Sequence, residues 1–452
     1  MSDKVVALVL VPVVVIIFSF IFWRKATIFL MYWVLVLGAV RKWFFPGQAD
    51  LVFFSSHLIL TGIYLRFFLS GYRILKGSPA LILLMASLIG WGFLSLLNLR
   101  MPDIRIGILG IVIHFYFIPL MFIIPRVFRT RKELIRFLER YALFSAPLLI
   151  LGIIQYFSPL DSPLNFYVSE TMSISTIGQY PRITSTFSYI SGYAAYLNFL
   201  FMILLYLLSA KKIPAFFKIA LPVLIVLTVI NLFMSGSRGP VGISILSAML
   251  YVVIASRLGL VFFGKVFSQI IVILGILLFV INTNFAARES YDAFMERART
   301  TEDAIPRIID TFTPFKFLPA AGLFGYGIGT TYQATQRFEI DWKDMPRGFE
   351  EEPERILLEL GLIGYLLVYL LRLVIIFLFW KLFKRLRHIN LKLLALCSLL
   401  FQLQFIHFNN LVFNLTSGIF YWFFVGFLFL LPKLDKRRVH VLAPEGSDLP
   451  SG

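Results

Sequence analysis

The chain has 452 residues, 59% hydrophobic and 15% charged, with a formal net charge of +18. Soluble domains carry about 45–50% apolar and roughly 25% charged residues, so this composition excludes an ordinary soluble fold and, with repeated apolar runs, indicates a polytopic membrane protein. The positive excess then belongs to loops that set topology rather than to a nucleic-acid surface, and one cysteine, Cys397, excludes an intrachain disulfide framework or a cysteine metal site.

In chain order, apolar spans are expected near 5–22, 26–40, 51–70, 79–97, 104–124, 141–157, 191–209, 216–234, 240–256, 260–281, 354–380, 391–410 and 416–432. That makes about 13, the second being short. The first 22 residues have the apolar core of a signal peptide, but no small-x-small cleavage site follows, and FSFIFWRKA reads as the end of a retained helix. Phe is abundant, at 49 residues, which suits lipid-facing surfaces and interhelical packing. No internal repeat is evident by eye. The expected fold class is an all-α polytopic membrane protein of about 12–13 helices. Its parts are a bundle over 1–281, a long external loop with short helices over 282–353, further spans over 354–432, and a cytoplasmic tail over 433–452.

Orientation follows from the basic loops. Residues 126–140, 211–218, 381–392 and 433–438 are rich in Lys and Arg, and the span count puts all four on one side, taken as cytoplasmic. Loops 158–190, 235–239 and 282–353 then fall outside, as does the N-terminus. The longest loop, 282–352, holds 12 of the 24 acidic residues and 8 basic ones, a net charge of −4. Long loops in compact proteins are often functional. RESYDAFMERA and TEDAIPRIIDTF have helical character and are expected as short helices on the outer face.

Three constellations stand out. The first is external arginine: Arg182 in YPRITSTFSYISGY, Arg238 in SGSRGP and Arg307 in PRIIDTFTPFKF. Topology does not explain them, and a guanidinium fork suits bidentate phosphate binding. Gly236 and Gly239 permit turn conformations, and Pro240 suits the first turn of a helix whose N-terminus adds partial positive charge. A hydrated connector or a lipid-headgroup contact is the plainer alternative. The second is GFEEEPERILLELGLIGY, where Glu351, Arg355 and Glu359 share one helical face. They read either as a general base oriented by Arg355 or as helix-start acids with a structural ion pair. Gly361 and Gly364 would allow close packing. The third is LFGYGIGTTYQ at 323–333, which contains Tyr326; it is no Walker or Rossmann pattern, and a tight turn bringing backbone amides to a ligand is expected.

Absences add to this. No D-x-D occurs, and Glu339-Ile340-Asp341 is the one E-x-D, late in the long loop, so metal independence and no cofactor are expected. The histidines are His57, His114, His388, His407 and His440. His407 could line a cavity with Asn409, Asn410 and Asn414, although such a histidine is more often a satisfied packing group.

Together these residues resemble the bacterial O-antigen polymerase and ligase family (Wzy-type membrane proteins). The resemblance runs through GAVRKWFFPG at 38–47, RITSTFSYISGYAAYL at 182–197, SGSRGP at 235–240, FLPAAGLFGYGIG at 317–329 and ERILLELGLIG at 354–364. Each motif is short, so their order and spacing carry the weight. The resemblance implies a GT-C-type bundle in the bacterial inner membrane, with glycan transfer from undecaprenyl pyrophosphate on the periplasmic side. It implies that Arg182, Arg238 and Arg307 hold the pyrophosphate; beside it, Arg355 and Tyr326 are expected as supporting residues. Many members place a histidine shortly before the E-x-G helix start; here Glu350 or Glu351 stands there, which weakens a ligase reading. The expected function is polymerisation of lipid-linked oligosaccharide repeats, with a glutamate from Glu350 to Glu352 (Glu350, Glu351 or Glu352), or Glu359, as base. A chain-length regulator and a flippase are the expected partners, with no nucleic acid. The rivals are a ligase, whose product is a single attachment, and a lipid-linked-oligosaccharide flippase or transporter, which would show repeats and broken helices.

Overall fold

A computed structural model describes residues 3–71, 78–168, 174–177, 179–210, 214–259, 314–338 and 345–436, with isolated positions between 264 and 295. Almost all of the expected span 260–281, and Arg307, Glu339 and Asp341, lie outside the described residues.

The protein is an all-α, multi-pass membrane protein. Among the described residues, eleven helical segments are long and apolar enough to cross a bilayer, and Leu10–Ile21 is a shorter apolar helix. The helices are α1 (Asp3–Ile21), α2 (Trp23–Ala39), α3 (Ala49–Leu69), α4 (Pro79–Leu94), α5 (Ile104–Phe115), α6 (Leu120–Val127), α7 (Arg131–Phe157), α8 (Ile190–Ser209), α9 (Ala215–Met234), α10 (Arg238–Arg257), the one-turn α11 (Leu318–Ala321), α12 (Glu352–Arg385), α13 (Ile389–Leu403), α14 (Leu415–Val425) and α15 (Phe427–Lys436). A two-residue antiparallel ladder pairs Thr176 with Pro181 and Ile177 with Tyr180. Only Phe22 separates α1 from α2, and backbone bonds run on either side of it, from Phe22 N to Phe18 O and from Ala26 N to Phe22 O.

Helix α8 is the centre of the bundle. It is apolar all round and nearly every residue is buried, as expected of a helix surrounded by others. Phe199 stacks on Phe420 of α14 at 4.1 Å. A polar clamp ties α7, α8 and α9: Tyr193 OH donates to Asn231 Oδ1 at 2.6 Å, and Asn231 Nδ2 donates to Leu149 O at 3.0 Å. Without a hydrophobic drive between helices in lipid, such bonds and close small-residue contacts hold spans together. Gly152 supplies the close contact, because a Cβ there would run into Asn231 Oδ1. Helix α4 is peripheral and exposes Leu83 and Phe93.

The bundle has two distinct ends. At one, Lys433 Nζ donates to Pro125 O at 2.9 Å, Arg131 Nε to Leu434 O at 3.1 Å, and the Arg387 and His388 amides to the Asp435 carboxylate. This end gathers the basic segments around 126–136, 381–392 and 433–436. At the other, Trp43 Nε1 donates to Pro163 O, Arg41 Nη1 to Ser188 Oγ, Asn98 Nδ2 to Gly325 O and Arg100 Nη1 to Ala320 O. Described parts of the connections after α7 and before α12 lie here.

Helix α12 is not one continuous rod. Gly361 has φ 66° and ψ −174°, which breaks it nine residues after its start. Glu352 Oε1 nevertheless pairs with Arg372 Nη2, 20 residues further on. On a straight helix their Cα atoms would stand roughly 30 Å apart, far beyond side-chain reach. The segment 352–360 therefore folds back along 362–385. The latter piece, about 36 Å long, spans a bilayer by itself.

Candidate functional site

Arg182 and Arg238 meet at one turn. The Ser235–Ser237 stretch leaves α9 through Gly236, whose φ of 67° suits glycine alone at low cost. Arg182 Nε donates to Ser235 O and its Nη2 to Ser237 Oγ, both at 2.9 Å. Ser237 is the N-cap of α10, and Arg238 is its first residue and exposed. Pro240 falls in that first turn, as the sequence leads one to expect. Arg182 thus braces the turn that presents Arg238, spending two donors on it. Tyr167 OH donates to Arg182 O at 2.7 Å, and burial pushes that hydroxyl up to about 12, so it remains a donor.

The RITSTF segment behind this turn is held by Gln155, which lies in no motif, and by Lys42 of GAVRKWFFPG. Gln155 Oε1 accepts from the Thr184 and Ser185 amides at 3.2 and 2.6 Å, and its Nε2 donates to Ser185 O at 3.0 Å. Ser185 takes a left-handed backbone, φ 47°. Buried Lys42 donates to Thr184 Oγ1 at 2.6 Å and to Ser185 O at 3.2 Å. Lys42 and Arg41 lie on the π-helical turn Val40–Phe44 that ends α2. Such turns recur at functional sites.

The fold-back of α12 builds the second part. Glu359 is fully buried. Its Oε2 lies 2.7 Å from His114 Nε2, and its Oε1 accepts from Thr331 N at 2.9 Å and Thr331 Oγ1 at 2.7 Å. Both oxygens of Glu359, one of the expected bases, are thus engaged by protein groups, and neither is open in this arrangement. Arg355 does not orient it directly. Its Nη2 donates to Thr331 O at 2.7 Å, and its guanidinium carbon stands 3.5 Å from the centre of the Phe413 ring, a close cation–π contact.

The glycine loop docks on the break in α12. Tyr326 N donates to Leu358 O at 2.7 Å and Gly327 N to Glu359 O at 3.0 Å, while Gly322 O accepts from Leu362 N at 3.0 Å. A break at Gly361 frees these carbonyls and amides, and the loop satisfies them. Gly325 has φ 72°, and a Cβ there would stand 2.5 Å from Glu359 O. Tyr326 is buried, with Arg100 over its ring at 5.2 Å.

Glu351 and Glu350 differ from Glu359 in being exposed. Glu351 is the N-cap of α12, in a capping box with Glu354, whose Oε2 accepts from the Glu350 amide at 3.0 Å and the Glu351 amide at 3.4 Å. Lys316 Nζ neutralises Glu354 at 2.8 Å. Desolvation by its surroundings, then the nearby Glu354, Glu350 and Glu352 carboxylates, raise the Glu351 carboxyl above its ordinary value. Glu352 is structural: besides Arg372, it accepts from the Leu411 and Val412 amides.

His407 is half-buried, and burial lowers its pKa. Asn409 donates to Gln404 Oε1, and Asn414 caps α14, accepting from the Thr416 and Ser417 amides, so the asparagines shape this loop. A small cavity of about 30 Å³ touches His114, Arg372 and Val412, lying between the two buried acid pairs. Among the described residues no group of three or more His, Cys, Asp or Glu could hold a metal ion.

Arg372 had a signal in the sequence, an ionisable residue in the middle of an apolar span. His114 carried the same signal within the span 104–124, but its pairing with Glu359, 245 residues away, had none. The chain matches no protein-family model and no curated protein.

Proposed function

We propose that this protein is a metal-independent polysaccharide polymerase, a GT-C-like glycosyltransferase of the bacterial inner membrane. A sugar hydroxyl of one undecaprenyl-pyrophosphate-linked repeat attacks the anomeric carbon of the glycan on a second carrier, and the lipid pyrophosphate departs. By the positive-inside bias the basic end is cytoplasmic, which puts the arginine turn and Glu351 on the periplasmic side.

One observation carries the reading: Arg182 braces the Ser235–Ser237 turn that presents Arg238 at the start of a 20-residue helix, away from the basic end. An exposed guanidinium on a helix N-terminus suits a pyrophosphate, whose negative charge grows as the bond to the sugar breaks. Glu351, with Glu350 beside it, is suited to take the hydroxyl proton, because it is accessible and its pKa is raised toward the operating pH. Arg355 and Tyr326 support the hairpin that carries them. Arg307 is a third candidate for the pyrophosphate on sequence grounds.

The experiment is purified protein with a lipid-pyrophosphate-linked repeat unit, run with and without chelator. A ladder of chain lengths, unaffected by chelator and lost in Arg238→Ala, is the expected result. Transfer of one finished glycan to a separate acceptor would indicate the ligase instead. The break at Gly361 favours a second reading, a lipid-linked-oligosaccharide transporter, since broken helices line transport sites. Movement of the labelled carrier across proteoliposomes without any ladder would select it.

A further inference from the structure

At the basic end, far from the arginine turn, a crevice of about 370 Å³ opens between the start of α4, the last turns of α12 and α15. Its walls include Leu81, Leu378, Leu382, Leu428 and Phe429, and its rim carries Lys381, Arg385 and Lys436. These three cations are exposed. The lining carboxylate, Asp435, is already committed to the Arg387 and His388 amides at 3.0 and 3.1 Å and pairs with none of them. An apolar trough with unneutralised cations at its edge is complementary to a molecule with hydrocarbon chains and an anionic head.

We propose that this crevice is a binding site for an anionic phospholipid. The acyl chains lie against the leucines and Phe429, and the phosphate is held among Lys381, Arg385 and Lys436. Lysine supplies compact point charge and Arg385 a fork of donors, a combination suited to phosphate oxygens. The site joins α4, α12 and α15, so a bound lipid would act as a wedge fixing the cytoplasmic end of α12 against its neighbours. Its distance from the arginine turn makes it independent of the catalytic reading.

The test is native mass spectrometry of the full chain with phosphatidylglycerol, phosphatidylcholine or glycerol phosphate added. The wild type is expected to retain phosphatidylglycerol in preference to both others. Because each basic residue near an anionic lipid adds roughly 1 kcal/mol, the triple variant K381Q/R385Q/K436Q should weaken that binding on the order of tenfold or more. The control variant K132Q/R136Q/K392Q removes the same charge at the same end and should bind as the wild type does. Equal retention of phosphatidylcholine, or equal weakening by the control variant, would overturn the site. Binding of glycerol phosphate as tightly as the lipid would overturn the role of the acyl chains.

Discussion

Glu352 and Arg372 belong to one helix and touch only because Gly361 folds that helix back on itself. The pair is buried, so its two halves are not equivalent to remove. Arg372→Met leaves an uncompensated carboxylate in the bundle and should cost about 3–5 kcal/mol. Glu352→Gln combined with Arg372→Met keeps an oxygen for the Leu411 and Val412 amides and should recover most of that loss. Thermal unfolding of the wild type, the single and the double variant in one detergent decides it; a double variant no better than the single would contradict the coupling.

Glu359 and Glu351 should separate cleanly. On the proposed reading, Glu359→Gln can still accept from Thr331 and bond to the His114 ring, so chain extension should stay near the wild-type rate. Glu351→Gln should lose about 10²–10⁴-fold, the usual contribution of a general base. His114→Ala, by contrast, leaves one Glu359 oxygen unpaired and should lower stability by roughly 1–3 kcal/mol. Ladder assays beside unfolding curves read both, and an inactive, well-folded Glu359→Gln would reverse the assignment.

The pH dependence has a definite sign. On the proposed reading the ionised Glu351 carboxylate is the form that accepts a proton, and its folded pKa is raised. Activity should therefore be present above that raised value and fall as pH drops through it, earlier in an acid titration than an ordinary carboxylate near about 4.3 would give. Stability runs the other way, because the folded state holds this proton more tightly than the unfolded chain, so ionisation costs stability as pH rises through the folded value. Glu351→Gln should flatten the acid limb of whatever rate remains.

Arg238→Lys keeps the charge but loses the fork and should retain part of the activity, whereas Arg238→Ala should lose on the order of 10²–10³-fold as a deleted transition-state donor. Arg182→Lys should also be impaired, since one ammonium cannot serve both Ser235 O and Ser237 Oγ in the same geometry. Initial rates at saturating lipid-linked substrate measure this, and full activity in Arg182→Lys would remove Arg182 from the site.

Gly325→Ala and Gly361→Ala place a Cβ at positive φ and against backbone, beside Glu359 O in one case and Leu323 O in the other. The φ strain alone costs roughly 1 kcal/mol, and the clash adds to it because backbone cannot rotate away. Gly239→Ala faces open space and should be close to neutral. Limited proteolysis of the 314–351 region across the three variants should show increased cutting in the first two alone.

All the expected spans were read from apolar runs, and twelve correspond to helices; the other, 260–281, lies almost wholly outside the described residues. The meeting of Arg182 with the SGSRG turn was legible as two arginines in loops of the same parity, though not that one braces the other. The bent helix was not legible. GLIGY reads as small residues within an apolar run, and nothing local distinguishes close packing from a reversal of direction.

The sequence by itself determined that this is a multi-pass helical membrane protein, because a bilayer leaves long apolar runs no stable alternative to helix. It also marked Arg238 and the glutamates ahead of α12 as residues out of place in such a chain. Only the tertiary structure decided which glutamate is open and which is sealed. Glu351 and Glu359 are eight residues apart on the same helical face; His114, Thr331 and the glycine loop close over one and leave the other exposed. That outcome depends on contacts between residues up to 245 positions apart, which local pattern does not encode.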